Sequence, residues 1–282
     1  MSKLKLMTWN INGRSRSYHN YIFPSFVIDE IMNSDINADI IILTEFIRGR
    51  NWPAVSKQLS KKYWRYTYPN KTIKQNEVLI ALKKDLKGFD YDSIKLTTVM
   101  NTTVQEKPNF FQVESIFNGN SLFIIGVRIK DTKNHDLEFQ ALNDHFSSLP
   151  DASKIICAGD FNEWPSHVKK NLNNIEIYSP RFNDNHSNIN PMYRNPSRWS
   201  YVTGNSQSPG KAVIDLIATK NVTILRESTD SKSILNNYKM LANYIWDFVT
   251  PNNGYGSLKP EDYKSHLAGL PDHAILTASI KT

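Results

Sequence analysis

Gly159-Asp160-Phe161-Asn162 closes the apolar run Lys154-Ile155-Ile156-Cys157-Ala158 and precedes Glu163-Trp164-Pro165. A strand that ends this way offers a carboxylate and a carboxamide two residues apart. In extended backbone such residues share a face. Asp160 and Asn162 are therefore expected to reach into one cleft, while Phe161 turns back into the core. Gly159 lets the backbone bend closely at the strand mouth. A carboxylate that accepts a proton, beside an amide that holds an anionic oxygen, makes half of a site for phosphoryl chemistry. Alone the tetrapeptide says little, because Asp and Asn are ordinary turn residues. Its company gives it weight.

Three other strand ends carry similar punctuation. Leu4-Lys5-Leu6-Met7-Thr8-Trp9-Asn10 is an alternating strand that delivers Asn10, with Asn12 and Gly13 following as a turn. Ala38-Asp39-Ile40-Ile41-Ile42-Leu43-Thr44-Glu45 is an apolar run closed by one carboxylate. Leu270-Pro271-Asp272-His273 precedes the strand-like Ala274-Ile275-Leu276-Thr277-Ala278-Ser279-Ile280. Taken in order, the four sites resemble the endonuclease/exonuclease/phosphatase superfamily, that of exonuclease III, abasic-site endonucleases and pancreatic-type deoxyribonucleases. Trp9-Asn10-Ile11-Asn12-Gly13-Arg14 is similar to the exonuclease III opening. The resemblance spans almost the whole chain in order and approximate spacing.

The resemblance implies metal-dependent hydrolysis of a phosphodiester. Attack of water on an anion needs charge neutralisation, which magnesium (or manganese) supplies through oxygen ligands. Glu45 is the expected protein ligand, with Asn10 and Asp272 as further metal contributors and Asn10 also near substrate. Asp160 orients or deprotonates the attacking water, and Asn162 holds a nonbridging phosphate oxygen. His273 faces the same phosphate, either as imidazolium or as neutral base. Its partner is not Asp272, because neighbours in extended chain point apart. Asp215 is the candidate partner: Val213-Ile214-Asp215-Leu216-Ile217 buries an acid among apolar residues, and buried acids are usually paired. In the resembled family an acid in this strand does that work. One position departs from the pattern. Where many relatives carry His or Tyr, the strand Phe123-Ile124-Ile125-Gly126-Val127-Arg128-Ile129 places Arg128. A guanidinium cannot be a general acid near neutral pH, but it can grip phosphate or neutralise a leaving group. A structural salt bridge is the competing account of Arg128. The remaining histidines, His19, His135, His145, His167, His186 and His266, are expected to be surface residues rather than ligands.

The elements that position these residues alternate between strand and helix. Helical spacing predicts helices over 23–32, 54–62, 139–146, 167–172 and 231–249. Strands are expected at 63–68, 77–83, 93–99, 110–117, 121–129 and 212–218. Asn-, Ser-, Pro- and Gly-rich stretches at 179–211 and 250–268 read as surface loops. Two mixed β-sheets packed face to face with helices outside is the economical α/β solution. The resemblance makes this a four-layered α/β sandwich with the site at the strand ends. Residues 1–282 form one domain in two halves of similar plan, with an insertion over about 226–268 that could wall the substrate cleft.

Composition agrees with one large core: 282 residues with 40% hydrophobic content, including 13 Phe, 13 Tyr and 6 Trp. The single cysteine, Cys157, excludes an internal disulfide and reads as a small core residue. No apolar run has the length of a membrane span, and the N-terminus lacks the uninterrupted apolar region of a secretory signal, so a cytoplasmic protein is expected. A formal charge of +7 favours a polyanionic partner. Lys61-Lys62-Tyr63-Trp64-Arg65-Tyr66-Thr67-Tyr68 and Tyr193-Arg194-Asn195-Pro196-Ser197-Arg198-Trp199 mix cations with aromatics, as nucleic-acid surfaces do, though the first pattern is also that of a half-buried strand. Arg198 is the substrate-binding candidate of the second. The glycine-rich aromatic and Trp-Arg-x-Asp signatures of abasic-site enzymes are absent. A magnesium-dependent nuclease on DNA is the primary reading. The alternative is a phosphatase or phosphodiesterase on inositol phosphate, phospholipid or nucleotide. A catalytically decayed nucleic-acid-binding module ranks third, because every acid the mechanism needs is present. No obligate protein partner is inferred.

Overall fold

A computed structural model describes residues 3–12, 22–33, 36–68, 77–131, 133–178, 201–202, 211–225, 242–245, 273 and 275–282. The chain begins with β1 (Lys3–Asn10), α1 (Ser25–Asn33), β2 (Ile40–Phe46), α2 (Trp52–Leu59), β3 (Tyr63–Tyr66) and β4 (Glu77–Lys83). It continues through β5 (Phe89–Thr97), β6 (Asn109–Phe117), β7 (Asn120–Arg128), α3 (His135–Ser148), β8 (Lys154–Asp160), α4 (Pro165–Asn171) and β9 (Glu176–Tyr178). The last strands are β10 (Tyr201–Val202), β11 (Lys211–Ala212), β12 (Asp215–Lys220), β13 (Thr223–Leu225), β14 (Ala242–Ile245) and β15 (Ile275–Lys281).

β13, β15, β1, β2, β4 and β3 lie side by side in one sheet, and β14 joins the same edge of β15 as β13. The other sheet runs β5, β6, β7, β8, β12 and β9, while β10 and β11 make a small ribbon. Both large sheets are mixed. Each holds one parallel pair, β1 with β2 and β7 with β8, and each pair is bridged by a helix, α1 and α3 respectively. Parallel neighbours require such a crossover. This is the four-layered α/β sandwich.

The central strands have no solvent face. All seven residues of β2 are buried, and so are all but the first of β8. That is why these segments read as continuous apolar runs rather than alternating ones. Gly126 marks the closest approach of the sheets: a Cβ there would lie 2.3 Å from Val78 Cγ1 and 2.9 Å from Ile42 Cγ2. Helices cover the outer faces through one stripe each. α1 buries Val27, Ile28 and Ile31, and α3 buries Phe139, Leu142 and Phe146 at helical spacing. Cys157 is fully buried in β8. No helix among the described residues is long and apolar enough to cross a membrane.

The structure departs from the sequence reading in places. α3 starts at His135, four residues before the expected 139, and β5 starts at Phe89 rather than 93. β9 and β13 were not expected, and β10 and β11 fall within or at the end of the expected loop 179–211. Within the expected helix 231–249, Ala242–Ile245 is a strand that pairs antiparallel with Ile275–Ala278. The free edge of β15 offers backbone donors and acceptors there, and such tertiary pairing outweighs a helical apolar repeat. The rest of 226–268 lies outside the described residues.

Candidate active site

Strand register places the functional side chains in two facing rows. In the second sheet Arg128, Asp160 and Asp215 are cross-strand partners: Arg128 pairs with Asp160, and Asp160 pairs with Asp215. Directly opposed residues project from one face. In the first sheet Asn10 pairs with Thr44, the neighbour of Glu45, and His273 sits just before the start of β15, beside the end of β1. The C-terminal ends of β1, β2, β7 and β8 thus meet the N-terminal ends of β12 and β15 at one rim.

Local backbone aims each group. β2 shifts register between Leu43 and Phe46, and Glu45 takes a left-handed φ of 49° within that bulge. A bulge re-aims a side chain that regular pleating would point elsewhere. Gly159 has φ 146°, and a Cβ there would meet the Val127 carbonyl oxygen at 2.1 Å, so β7 and β8 approach too closely for a side chain. Asn162 does not share a face with Asp160 through extended chain, as the sequence suggested. Its φ is 48°, and its backbone N–H donates to Asp160 Oδ1 at 2.9 Å. A tight turn, not a pleat, brings the two together. Phe161 is fully buried, as expected.

The side chains form one connected array. The Asn12 N–H donates to Asn10 Oδ1 at 3.0 Å, which fixes the orientation of the amide. Asn10 Nδ2 then donates to Asp160 Oδ2 at 2.9 Å and faces His273 Nε2 at 3.3 Å. His273 Nδ1 lies 2.8 Å from Asp215 Oδ2. A ring proton on Nδ1 toward Asp215 leaves Nε2 facing the Asn10 amide. Trp9 Nε1 holds the His273 carbonyl at 2.9 Å. Asn162 Nδ2 donates to the Ile129 carbonyl at 2.6 Å and to Asp160 Oδ2 at 3.2 Å. In this geometry Asn162 orients Asp160, and its donors are engaged by the protein.

Arg128 answers the acids. Its Nε is 2.6 Å from Glu45 Oε1 and 3.7 Å from Asp160 Oδ2, and the side chain is buried. Two buried carboxylates, Glu45 and Asp160, therefore share one fixed guanidinium, and the buried Asp215 lies beside Asp160 on the next strand. The Asp160 carboxyl is pushed up to about 7. Burial is the main cause; His273 and Arg128 oppose it, while Asp215 and Glu45 add to it. A pocket of carboxylate and amide oxygens short of positive charge fits a hard divalent cation. Glu45 and Asp160 are the carboxylates that would hold it.

Not every expected residue can be placed. Asp272 and Arg198 lie outside the described residues, as do His19, His186 and His266. Tyr63 points inward and donates to the Ala38 carbonyl, while Trp64 is exposed beneath the Lys84 ammonium, so the 61–68 segment is a half-buried edge strand. His145 is not a surface residue. It is buried against Phe110, accepts from the Asn101 N–H at 3.1 Å and meets Gln112 Oε1 at 2.9 Å. Burial pushes it down to about 4, so it is a neutral core histidine. His135 and His167, expected at the surface, are both partly exposed and lie near Glu163. The visible signal for the latter pair was Glu163 and His167 at i,i+4 beside Gly-Asp-Phe-Asn.

The model of the Endonuclease/Exonuclease/phosphatase family matches residues 7–252. No curated protein matches by sequence. Among solved structures, D. rerio TDP2 complexed with single strand DNA product superposes with a TM-score of 0.64 at 15% identity, covering 100% of both chains. The human Nocturnin catalytic domain with bound sulfate gives 0.60 at 13% identity, covering 99% of this chain and 94% of that one. ANGEL2, a 2',3'-cyclic phosphatase, in complex with adenosine-2',3'-vanadate gives 0.57 at 12%, with 99% and 95% covered. At these identities the likeness is one of fold.

Proposed function

The chain belongs to the Endonuclease/Exonuclease/phosphatase family, and from that premise we propose that it is a magnesium-dependent nuclease that hydrolyses phosphodiester bonds of DNA. Phosphoester hydrolysis is the activity common to this family and typically depends on a divalent metal. One observation carries the reading: Asp160 is joined through Asn10 to the His273–Asp215 pair, beneath the Glu45–Arg128 ion pair. The net charge of +7 and the DNA product held by a protein of like fold favour DNA as substrate.

Each group has a task in such a site. Asp160, steadied by Asn10 and Asn162, orients the attacking water and takes its proton. His273, held by Asp215, meets the phosphate with Nε2 and stabilises the charge that develops there. Arg128 offsets part of the charge of Glu45 and Asp160 before substrate arrives. A divalent cation held by Glu45 and Asp160 would neutralise phosphate oxygens.

End-labelled single- and double-stranded DNA incubated with magnesium tests the proposal, with chelator and Asp160→Asn as blanks. Cleavage that both blanks abolish is expected. The likeness to a 2',3'-cyclic phosphatase motivates the second reading, a small phosphate ester as substrate. Intact DNA alongside hydrolysed cyclic or inositol phosphates would establish that reading instead.

A further inference from the structure

His135, Glu163 and His167 stand outside the array described above. His135 opens α3, Glu163 directly follows Asn162, and His167 lies in the first turn of α4. One ligand atom from each can be chosen so that all three lie within 4.8 Å of one another. His167 Nδ1 is 2.8 Å from Glu163 Oε2, and His135 Nδ1 is 4.0 Å from the same oxygen. The two imidazoles are nearly parallel, at 15° with centroids 6.3 Å apart. Glu163 Oε1 accepts from the Trp164 N–H at 2.8 Å, which leaves Oε2 presented to both rings. His135 is set by edge-on packing against Phe139. Its Nε2 is buried with no hydrogen-bond partner among the described residues, so Nδ1 is the nitrogen that faces the cluster.

We propose that His135, Glu163 and His167 form a second metal site, selective for zinc-class transition ions. Two imidazoles and one carboxylate are a three-ligand zinc set, with a fourth position open to water. Nitrogen donors disfavour magnesium, so the chemistry of this site differs from that of the oxygen-lined pocket around Glu45. Metal–ligand bonds of about 2.0–2.1 Å put tetrahedral donors roughly 3.4 Å apart. The observed 2.8 and 4.0 Å to the Glu163 oxygen straddle that value. An i,i+4 ion pair at the start of α4 accounts for Glu163 and His167. It leaves unexplained why His135, from another helix, turns its nitrogen to the same oxygen. A bound ion ties the first turns of α3 and α4 together across the turn that carries Asn162.

Metal-stripped protein titrated with cobalt(II) in excess magnesium tests the site, because magnesium occupies the oxygen-lined pocket. Visible absorption and calorimetric stoichiometry are read together, and zinc is then used as competitor. One equivalent of ion is expected, with the intense visible bands of four-coordinate, nitrogen-ligated cobalt. His135→Ala and His167→Ala should each weaken binding by about 100-fold or more. His167 is 40% exposed, so His167→Gln provides a variant that keeps the fold, checked by circular dichroism. Absence of the bands in the unmodified protein, or bands that survive both histidine substitutions, overturns the proposal. The readout is independent of cleavage, so the site stands or falls separately from nuclease activity.

Discussion

His273 Nδ1 and Asp215 Oδ2 lie 2.8 Å apart, and the bond between them ties the two sheets together at the rim. Asp215 opens β12 in one sheet, while His273 stands before β15 in the other. Both are buried, so the carboxylate holds the ring in one tautomer and stabilises its protonated form. Asp215→Asn keeps the shape but offers an amide that no longer enforces the Nδ1 proton. We expect kcat to fall by roughly 10²–10⁴-fold with KM little changed. Steady-state kinetics and circular dichroism check this. A variant with full kcat would show that Asp215 only fills a buried hydrogen bond.

Asp160 links ionisation to both stability and turnover. Its carboxyl is raised to about 7 in the folded chain, chiefly by burial, against an ordinary value near 3.8. Between these values the folded state holds a proton that the unfolded state has released. Its contribution to stability is therefore present in full at low pH and lost as pH rises through about 7. In chelator, the thermal midpoint of the natural protein should fall relative to Asp160→Asn from roughly pH 4 to roughly pH 7 and run parallel to it above that. A bound cation favours the ionised carboxylate, so the acid limb of the rate profile should move to lower pH as magnesium is raised. Parallel melting curves and a limb insensitive to magnesium would contradict this assignment.

Much of this site could be read before any coordinates, because its residues end buried strands. An apolar run closed by a lone acid, as at Glu45, or interrupted by one, as at Asp215, has few structural uses for that acid, and strand order then brings distant ends to one rim. What the sequence could not convey was the local geometry. The bulge that turns Glu45 and the turn that folds Asn162 onto Asp160 depend on left-handed residues that no periodicity announces. His135 and Glu163 meet only because α3 and α4 begin side by side, a tertiary fact. Ala242–Ile245 misled for the same reason: its partner, the edge of β15, lies far along the chain.

Gly126 should tolerate no side chain. An added Cβ would lie 2.3 Å from Val78 Cγ1 and 2.9 Å from Ile42 Cγ2, on the opposing sheet. Both neighbours are fully buried and branched at Cβ, so neither yields by simple rotation. Gly126→Ala is expected to destabilise by about 1–3 kcal/mol. That corresponds to a melting point lower by roughly 2–4 °C for each kcal/mol. Urea unfolding checks it, and an unchanged midpoint would mean that the sheets sit farther apart.

Arg128 acts as a resident counter-charge, a role that separates it from a plain structural ion pair. Its guanidinium touches Glu45 and lies within 3.7 Å of Asp160, so removing it leaves two buried carboxylates without their fixed cation. Arg128→Met should cost about 3–5 kcal/mol in chelator, the range for breaking a buried pair. A divalent cation held by the same carboxylates supplies the missing charge. Magnesium should therefore raise the melting temperature of Arg128→Met more than that of the natural protein. Glu45→Gln, which removes a carboxylate from the pair, should weaken the magnesium-induced rise in both backgrounds. Thermal melts of the four proteins with and without magnesium measure this coupling. Equal stabilisation of all four would place the cation elsewhere and leave Arg128 a purely architectural residue.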